Sequence, residues 1–293
     1  MSKYLDIFIN SFIDYYHYLK FEILNPGWTN YFYWLIGLSL LVLLIEIFIP
    51  WRKNQKILRK GFFLDVFYIF FNFFLFSLVG YNAISNLGVA LFNDFLRLFD
   101  VDNIVAIQVD QLPAFVQLLI MFLIADFIQW LVHIQLHKNP YLWEFHKIHH
   151  SVKEMSFAAQ FRFHFMETII YKSVQYIPLA MIGFGIKEFF IVHMIGVFIG
   201  HLNHANIGWD YGIVGKIINN PKMHIWHHSK ELPESHPYGM NFGLSLSLWD
   251  YLFGMAYVPK DGKNIELGFD DVEEYQTNFW KQLKKPFQKL TAK

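Results

Sequence analysis

The chain has no cysteine among its 293 residues. That excludes disulfides, iron–sulfur clusters and thiolate metal sites, so any metal would be held by imidazole and carboxylate. Charge is scarce as well: Asp, Glu, Lys and Arg make up 16% of the residues, where a soluble domain carries about a quarter. The two signs balance at 24 each, so no global field points to nucleic acid or to an acidic partner. A Gly-x-Gly-x-x-Gly turn after a strand is missing, which leaves the chain without an evident flavin or nicotinamide site of its own. His-Glu-x-x-His, the signature of one class of zinc hydrolase, is also absent. The N-terminus shows no basic segment followed by a cleavage site, so no removable signal peptide is expected.

What is present is apolar and aromatic. Hydrophobic residues reach 55% and aromatic residues 20%, with 33 Phe, a composition suited to lipid and its interfaces. A membrane span needs about 20 mostly apolar residues. Tyr31–Pro50, Phe62–Gly80 and Leu112–Val132 qualify, and Thr168–Gly200 reads as two helices in a hairpin bent at the glycine pair in "GFGIKE". Arg52, Lys53, Lys56, Arg59 and Lys60 fill the connection after the first run. By the positive-inside rule that connection is cytoplasmic, as is the end of the third run. Three stretches follow: an amphipathic interfacial segment over 1–30, a membrane-embedded domain over 31–260, and a charged tail over 261–293, expected to be peripheral. The fold class is all-α and membrane-embedded, with about four spans and a helical cytoplasmic cap.

The histidines are the strongest signal. Of 14, all but His17 lie between His133 and His236. His133 and His137 are spaced i, i+4 at the end of the third run. "HKIHH" supplies His146, His149 and His150, and "HIWHH" supplies His224, His227 and His228. The i, i+3, i+4 spacing places the three rings of each copy on one stripe of a short helix. His201 and His204 add an i, i+3 pair. So many buried imidazoles without a metal would leave ring nitrogens unpaired or force neighbouring rings to share charge, both costly. Eight to ten ligands exceed the four of one tetrahedral ion, so two ions are expected. Iron, copper and zinc all suit such nitrogen ligation. Asp126, Glu144 and Glu167 are the nearby carboxylates, and Asp126 reads as an acceptor behind a ligating ring rather than a ligand. His193 and His236 read as structural.

The order His-x3-His, His-x2-His-His, His-x2-His-His resembles the fatty acid hydroxylase/sterol desaturase superfamily over residues 122–256. Further matches are "DFIQWLVHIQLH", "LWEFHKIHHS", "RFHFME", "HANIG" and "NFGLSLSLWDYLFG"; Ile134 and Phe165 depart from the usual pattern. The resemblance implies an integral membrane di-iron enzyme that uses O2 to hydroxylate or desaturate a lipid, sterol or acyl. It implies His133, His137, His146, His149, His150, His224, His227 and His228 as ligands, with His204 a ninth and His201 a tenth. Asp126, His164, Glu167 and Asn206 would support them, and Trp249 and Asp250 would hold the cap together. With no electron carrier in the chain, a separate reductase, ferredoxin or b-type cytochrome is implied. The competing readings are a membrane zinc-dependent hydrolase and a metal transporter or haem-binding membrane protein.

Overall fold

The computed structural model of the chain describes residues 2–27, 30–72, 75, 81–101, 109, 111–182 and 186–291. Among them it is all helical, with two isolated β-bridges and no strand. The helices are α1 (Ser2–Leu24), α2 (Tyr31–Phe48), α3 (Phe62–Tyr68), α4 (Tyr81–Arg97), α5 (Ala114–Lys138), α6 (Pro140–His150), α7 (Phe165–Met181), α8 (Ile186–His204), α9 (Pro221–His227), α10 (Leu248–Leu252) and α11 (Phe279–Thr291). A 3-10 turn, Phe157–Phe161, links α6 to α7.

The hub is α5, on which α6, α7 and α8 all pack. It is the one helix among the described residues that is long and apolar enough to cross a membrane. The first apolar run forms α2, 18 residues long. The second begins as α3 and continues as a π-helical turn to Asn72, and most of its remainder lies outside the described residues. The hairpin run forms α7 and α8, with the glycines of its bend outside the described residues. The segment expected to be interfacial forms α1, which packs along α4, a helix the apolar runs did not announce.

Both histidine motifs start their helices in the same way. Asn139 precedes Pro140, and its side chain accepts from the backbone N–H of Tyr141 and Leu142 at 2.9 and 3.2 Å. Asn220 precedes Pro221 and accepts from Met223 N–H at 2.9 Å. An Asn cap followed by proline at the first helical position satisfies a free N–H and presets the backbone angle.

Charges inside the apolar segments are spent on tertiary ties. Glu46, the one charge of the first run, accepts from Phe157 N–H at 2.9 Å and so holds the 3-10 turn. Asp126 of α5 accepts from the backbone N–H of Ser245 and Leu246 and from Trp249 Nε1. Asp250 of α10 returns the favour, accepting from Trp130 Nε1 of α5 at 2.8 Å and from Phe242 and Gly243 N–H. These two carboxylates fasten the C-terminal segment across α5, and Trp249 and Asp250 do the holding expected of them. The charged tail ends in a helix, Phe279–Thr291. Its helix α11 packs on α6, burying Phe279, Leu283 and Gln282, the last accepting from Tyr68 hydroxyl at 2.8 Å.

Arg59, one of the five cations of the first connection, turns inward. It and Arg162 both pair with the fully buried Asp65, Arg162 at 3.1 Å. Removing the shared carboxylate strands two buried guanidiniums, and breaking a buried pair this way costs about 3–5 kcal/mol. Asp65→Ala is therefore expected to lower the unfolding midpoint of the detergent-solubilised chain sharply, whereas Lys53→Ala in the same connection leaves it nearly unchanged; thermal unfolding of the two variants checks this.

Candidate metal centre

Nine of the ten candidate ligands come together, in two groups. Group one contains His133 and His137 from α5, His146 and His150 from α6, and His227 from α9. Group two contains His149 from α6, His204 from the end of α8, and His224 and His228 from and just after α9. Within each group one ring nitrogen per residue lies within 4.8 Å of all the others. The groups abut, with the rings of His150 and His228 stacked at a centroid distance of 4.5 Å.

The single-stripe expectation for each motif is corrected here. On a helix, i and i+4 differ by about 40°, while i+3 turns about 60° the other way. The first motif accordingly sends His146 and His150 to group one and His149 to group two. The second does the reverse, sending His224 and His228 to group two and His227 to group one. Each copy therefore serves both groups.

Hydrogen bonds set the rings' orientation. Nδ1–H of His137, His227 and His133 donates to the carbonyls of Tyr238, Met240 and Phe242, at 3.2, 2.9 and 2.7 Å. His146 Nδ1 donates to Glu167 Oε2 at 2.8 Å. In group two, His149 Nδ1 donates to Arg162 carbonyl at 3.3 Å and His204 Nδ1 to Gly200 carbonyl at 2.8 Å. A carbonyl only accepts, so those Nδ1 atoms carry the proton and Nε2 keeps its lone pair. The consequence is a set of facing lone pairs. Nε2 of His133 and His146 are 3.1 Å apart, and Nε2 of His204 and His149 are 3.2 Å apart; Nε2 of His224, a ring whose Nδ1 meets no partner, also lies 3.1 Å from His204 Nε2.

Two imidazole lone pairs cannot hydrogen-bond to each other. Two nitrogens bound to one ion at 2.0–2.1 Å, however, lie roughly 3 Å apart when near a right angle. Nε2 of His137, His150 and His227, Nδ1 of His224 and both ring nitrogens of His228 are buried without a partner. Burial, reinforced by the neighbouring rings, holds His146, His149, His150, His224, His227 and His228 well below the usual histidine range. They are neutral, the form that binds metal. The donor set thus fits metal at both groups.

The remaining candidates lie elsewhere. His201 is not brought into either group: its Nε2 meets Ser39 Oγ at 2.9 Å and its Nδ1 meets Phe157 carbonyl at 3.0 Å. Among the described residues Asp126 has no hydrogen bond to an imidazole and holds the C-terminal segment instead, as above. Glu167 alone of the three carboxylates supports a ring; Glu144 pairs with Lys147 and Lys289. His164 uses Nε2 toward Leu283 carbonyl at 3.0 Å and accepts Met166 N–H at Nδ1, tying α11 to the start of α7. Asn206 clamps the chain at Arg52 through both its amide atoms. His236 lies outside both groups, near Gly254 carbonyl.

What sequence reasoning missed is mostly backbone. Alternate carbonyls of residues 238, 240 and 242 orient three rings of group one, and no side chain announces them. The available signal was Gly239, whose φ of +116° suits glycine. His193, read as structural, lines a cavity that also meets His133, His146, His149, His204 and His224.

Residues 118–255, which hold all nine rings, match the fatty acid hydroxylase family. Among named relatives, the ornithine lipid hydroxylase OlsE of Rhizobium tropici is 32% identical over 184 residues, 63% of this chain and 54% of the relative. The match thus spans about half of that relative's length. No solved structure matches the chain.

A Cβ at position 239 would stand 3.1 Å from His137 Nδ1 and 3.3 Å from the Phe242 ring, on a backbone that L side chains rarely adopt. Disturbing the groups that orient ligands typically costs 10–100-fold in metal affinity. Gly239→Ala is expected to show a loss of about that size in competition with a chelator, while Gly88→Ala in α4, where a Cβ meets nothing within 4 Å, leaves metal affinity close to that of the intact chain.

Proposed function

We propose that the chain is a multi-pass membrane enzyme that hydroxylates a lipid with O2, using two iron ions held by the nine grouped imidazoles. The observation that carries the reading is the reciprocal division of the two motifs, which directs neutral imidazole lone pairs into two adjoining groups. The match of residues 118–255 to the fatty acid hydroxylase family and the likeness to a lipid hydroxylase support the substrate class and the reaction.

Two reduced irons in these groups supply the capacity to activate O2 for attack on an unreactive C–H bond. The protein's own residues do the rest. The carbonyls of residues 238–242 and the Glu167 carboxylate hold the rings in one tautomer. His201 stands behind group two as a structural tie between α2 and α8. In the overall reaction a C–H bond becomes C–OH with one oxygen of O2, and the other oxygen leaves as water. Two electrons come from a separate reductase, ferredoxin or b-type cytochrome, and two protons from water.

The spans in this reading are α2, the run that begins at α3, α5, and the α7–α8 hairpin. The site lies at the C-terminal end of α5, on the cytoplasmic side, the side of Arg52, Lys53, Lys56 and Lys60. Lipid then enters from the bilayer, and electrons arrive from the cytoplasm.

The chain isolated from native membranes is expected to hold two irons, His149→Ala to lose at least one of them, and His201→Ala to keep both. Lipid extracts from cells with the intact gene are expected to contain a species with one added oxygen that His149→Ala removes. Stoichiometric zinc in native membranes, or unchanged lipids under air with a reductase supplied, would overturn the proposal.

A further inference from the structure

Two short segments of the C-terminal half turn apolar side chains outward. The 3-10 turn Gly212–Lys216 and the residue after it expose Ile213, Val214 and Ile217. Helix α10 and the residue after it expose Tyr251, Leu252 and Phe253. Ile213 is 82% exposed and Leu252 63%, and soluble monomers rarely gather such residues into one large patch. The two segments are stitched together. Leu248 N–H donates to Ile217 carbonyl at 3.3 Å, Ser247 hydroxyl donates to Gly215 carbonyl at 2.8 Å, and Ile218 forms a β-bridge with Leu246.

Contacts with α5 fix the height of this patch. The Phe253 ring lies 5.0 Å from that of Trp130 and 6.2 Å from that of Phe127, and both partners belong to the apolar run Leu112–Val132. Along α5 the rise from Ala114 to Trp130 is roughly 24 Å, inside the ~30 Å hydrocarbon thickness of a bilayer. With α5 as a span, a side chain laid on Trp130 from outside sits at the end of the hydrocarbon or in the headgroup layer. Leu131 of α5 is exposed at the same height, so the patch continues the outer face of that helix.

Contact with lipid also requires that backbone N–H groups find partners inside the protein. Those of Val214, Ile217, Ile218, Leu248, Tyr251 and Phe253 all donate to carbonyls within residues 211–217 and 247–249. Charge agrees with this placement. Across residues 211–218 and 246–256 the one acid, Asp250, is fully buried, and the one cation, Lys216, is exposed. An outward lysine without a neighbouring outward acid suits the anionic surface of the cytoplasmic leaflet, and an exposed tyrosine suits the headgroup level.

We infer that the 212–217 turn and α10 form an in-plane anchor, seated in the headgroup and upper acyl layer of the bilayer beside α5, with Lys216 available to anionic lipid. The inference rests on the membrane reading of α5 and adds to it a lipid-facing surface that is no span. Helix α10 also carries Asp250, whose carboxylate accepts from the N–H groups of Phe242 and Gly243, and the Phe242 carbonyl orients His133. The anchor thus stands two links from group one.

The chain has no cysteine, so one introduced thiol carries a fluorescent label to one place. Leu252→Cys and Ile213→Cys, labelled with an environment-sensitive dye, are reconstituted in vesicles of phosphatidylcholine and phosphatidylglycerol. Each is exposed to iodide on both sides of the bilayer, or to lipid bearing a nitroxide near its glycerol. Metal content checks each preparation, and two sites keep the test decisive where one variant fails to fold. Both labels are expected to lose most of their emission to the nitroxide and little to iodide, while Glu274→Cys on the exposed tail is quenched by iodide. Leu119→Cys, on the exposed side of α5, is expected to respond to a nitroxide near the acyl chain end. Quenching of the labels at 213 and 252 by iodide alone would overturn the anchor. Shielding from both quenchers would overturn it in favour of a second copy seated there. In either case a lipid-quenched Leu119→Cys leaves the span reading standing. A Leu119→Cys label that responds to iodide alone sinks the span reading, and the anchor with it.

Discussion

The structure depends on a commitment of protons. Six of the nine grouped histidines donate Nδ1–H to a carbonyl or carboxylate fixed in the fold, and each donation points an Nε2 lone pair inward. A buried polar atom without a partner costs about 1–3 kcal/mol, and this fold gathers several such atoms in one place. The surrounding helices must therefore be held together by other means until a metal satisfies the rings. The buried ties do that: Asp126 and Asp250 across α5, Glu46 on the 3-10 turn, and Asp65 between two arginines. Each joins segments far apart in the chain, and Asp65 bears directly on the site, because Arg162, which it holds, offers its carbonyl to His149.

Much of this was legible in the sequence. Apolar runs gave the helices, because a run of that length with one charge has few other stable forms. The histidine pattern offered ten ligand candidates, and nine of them fall in the two groups. Assignment of rings to groups was not legible, because it depends on how α6 and α9 face each other across α5. The same holds for His201. Its i, i+3 relation to His204 looks like a ligand pair, yet packing of α2 on α8 brings Ser39 to its outer nitrogen. Asp126 misled for the reverse reason. One or two turns before His133 it resembles a ring's acceptor, whereas its partners are 119 to 123 residues away. The amphipathic tail was visible as a helix, but its docking on α6 through Gln282 and Leu283 is a tertiary fact.

The reciprocal sharing of the motifs has a mechanical consequence. Had each copy of His-x2-His-His served one group, the distance between the groups would follow every small movement of α6 against α9. Here each helix contributes to both, so one rigid turn of helix spans the gap twice, once in each direction. His149 and His150, adjacent in the chain, face different groups, as do His227 and His228. The separation of the two groups is then set by the width of a helix backbone, which changes little at physiological temperature. A reaction that needs two metals at a constant spacing is served by such a frame, and a site needing one open metal is not. The doubling of the motif is thus a means of holding a distance as well as of counting ligands.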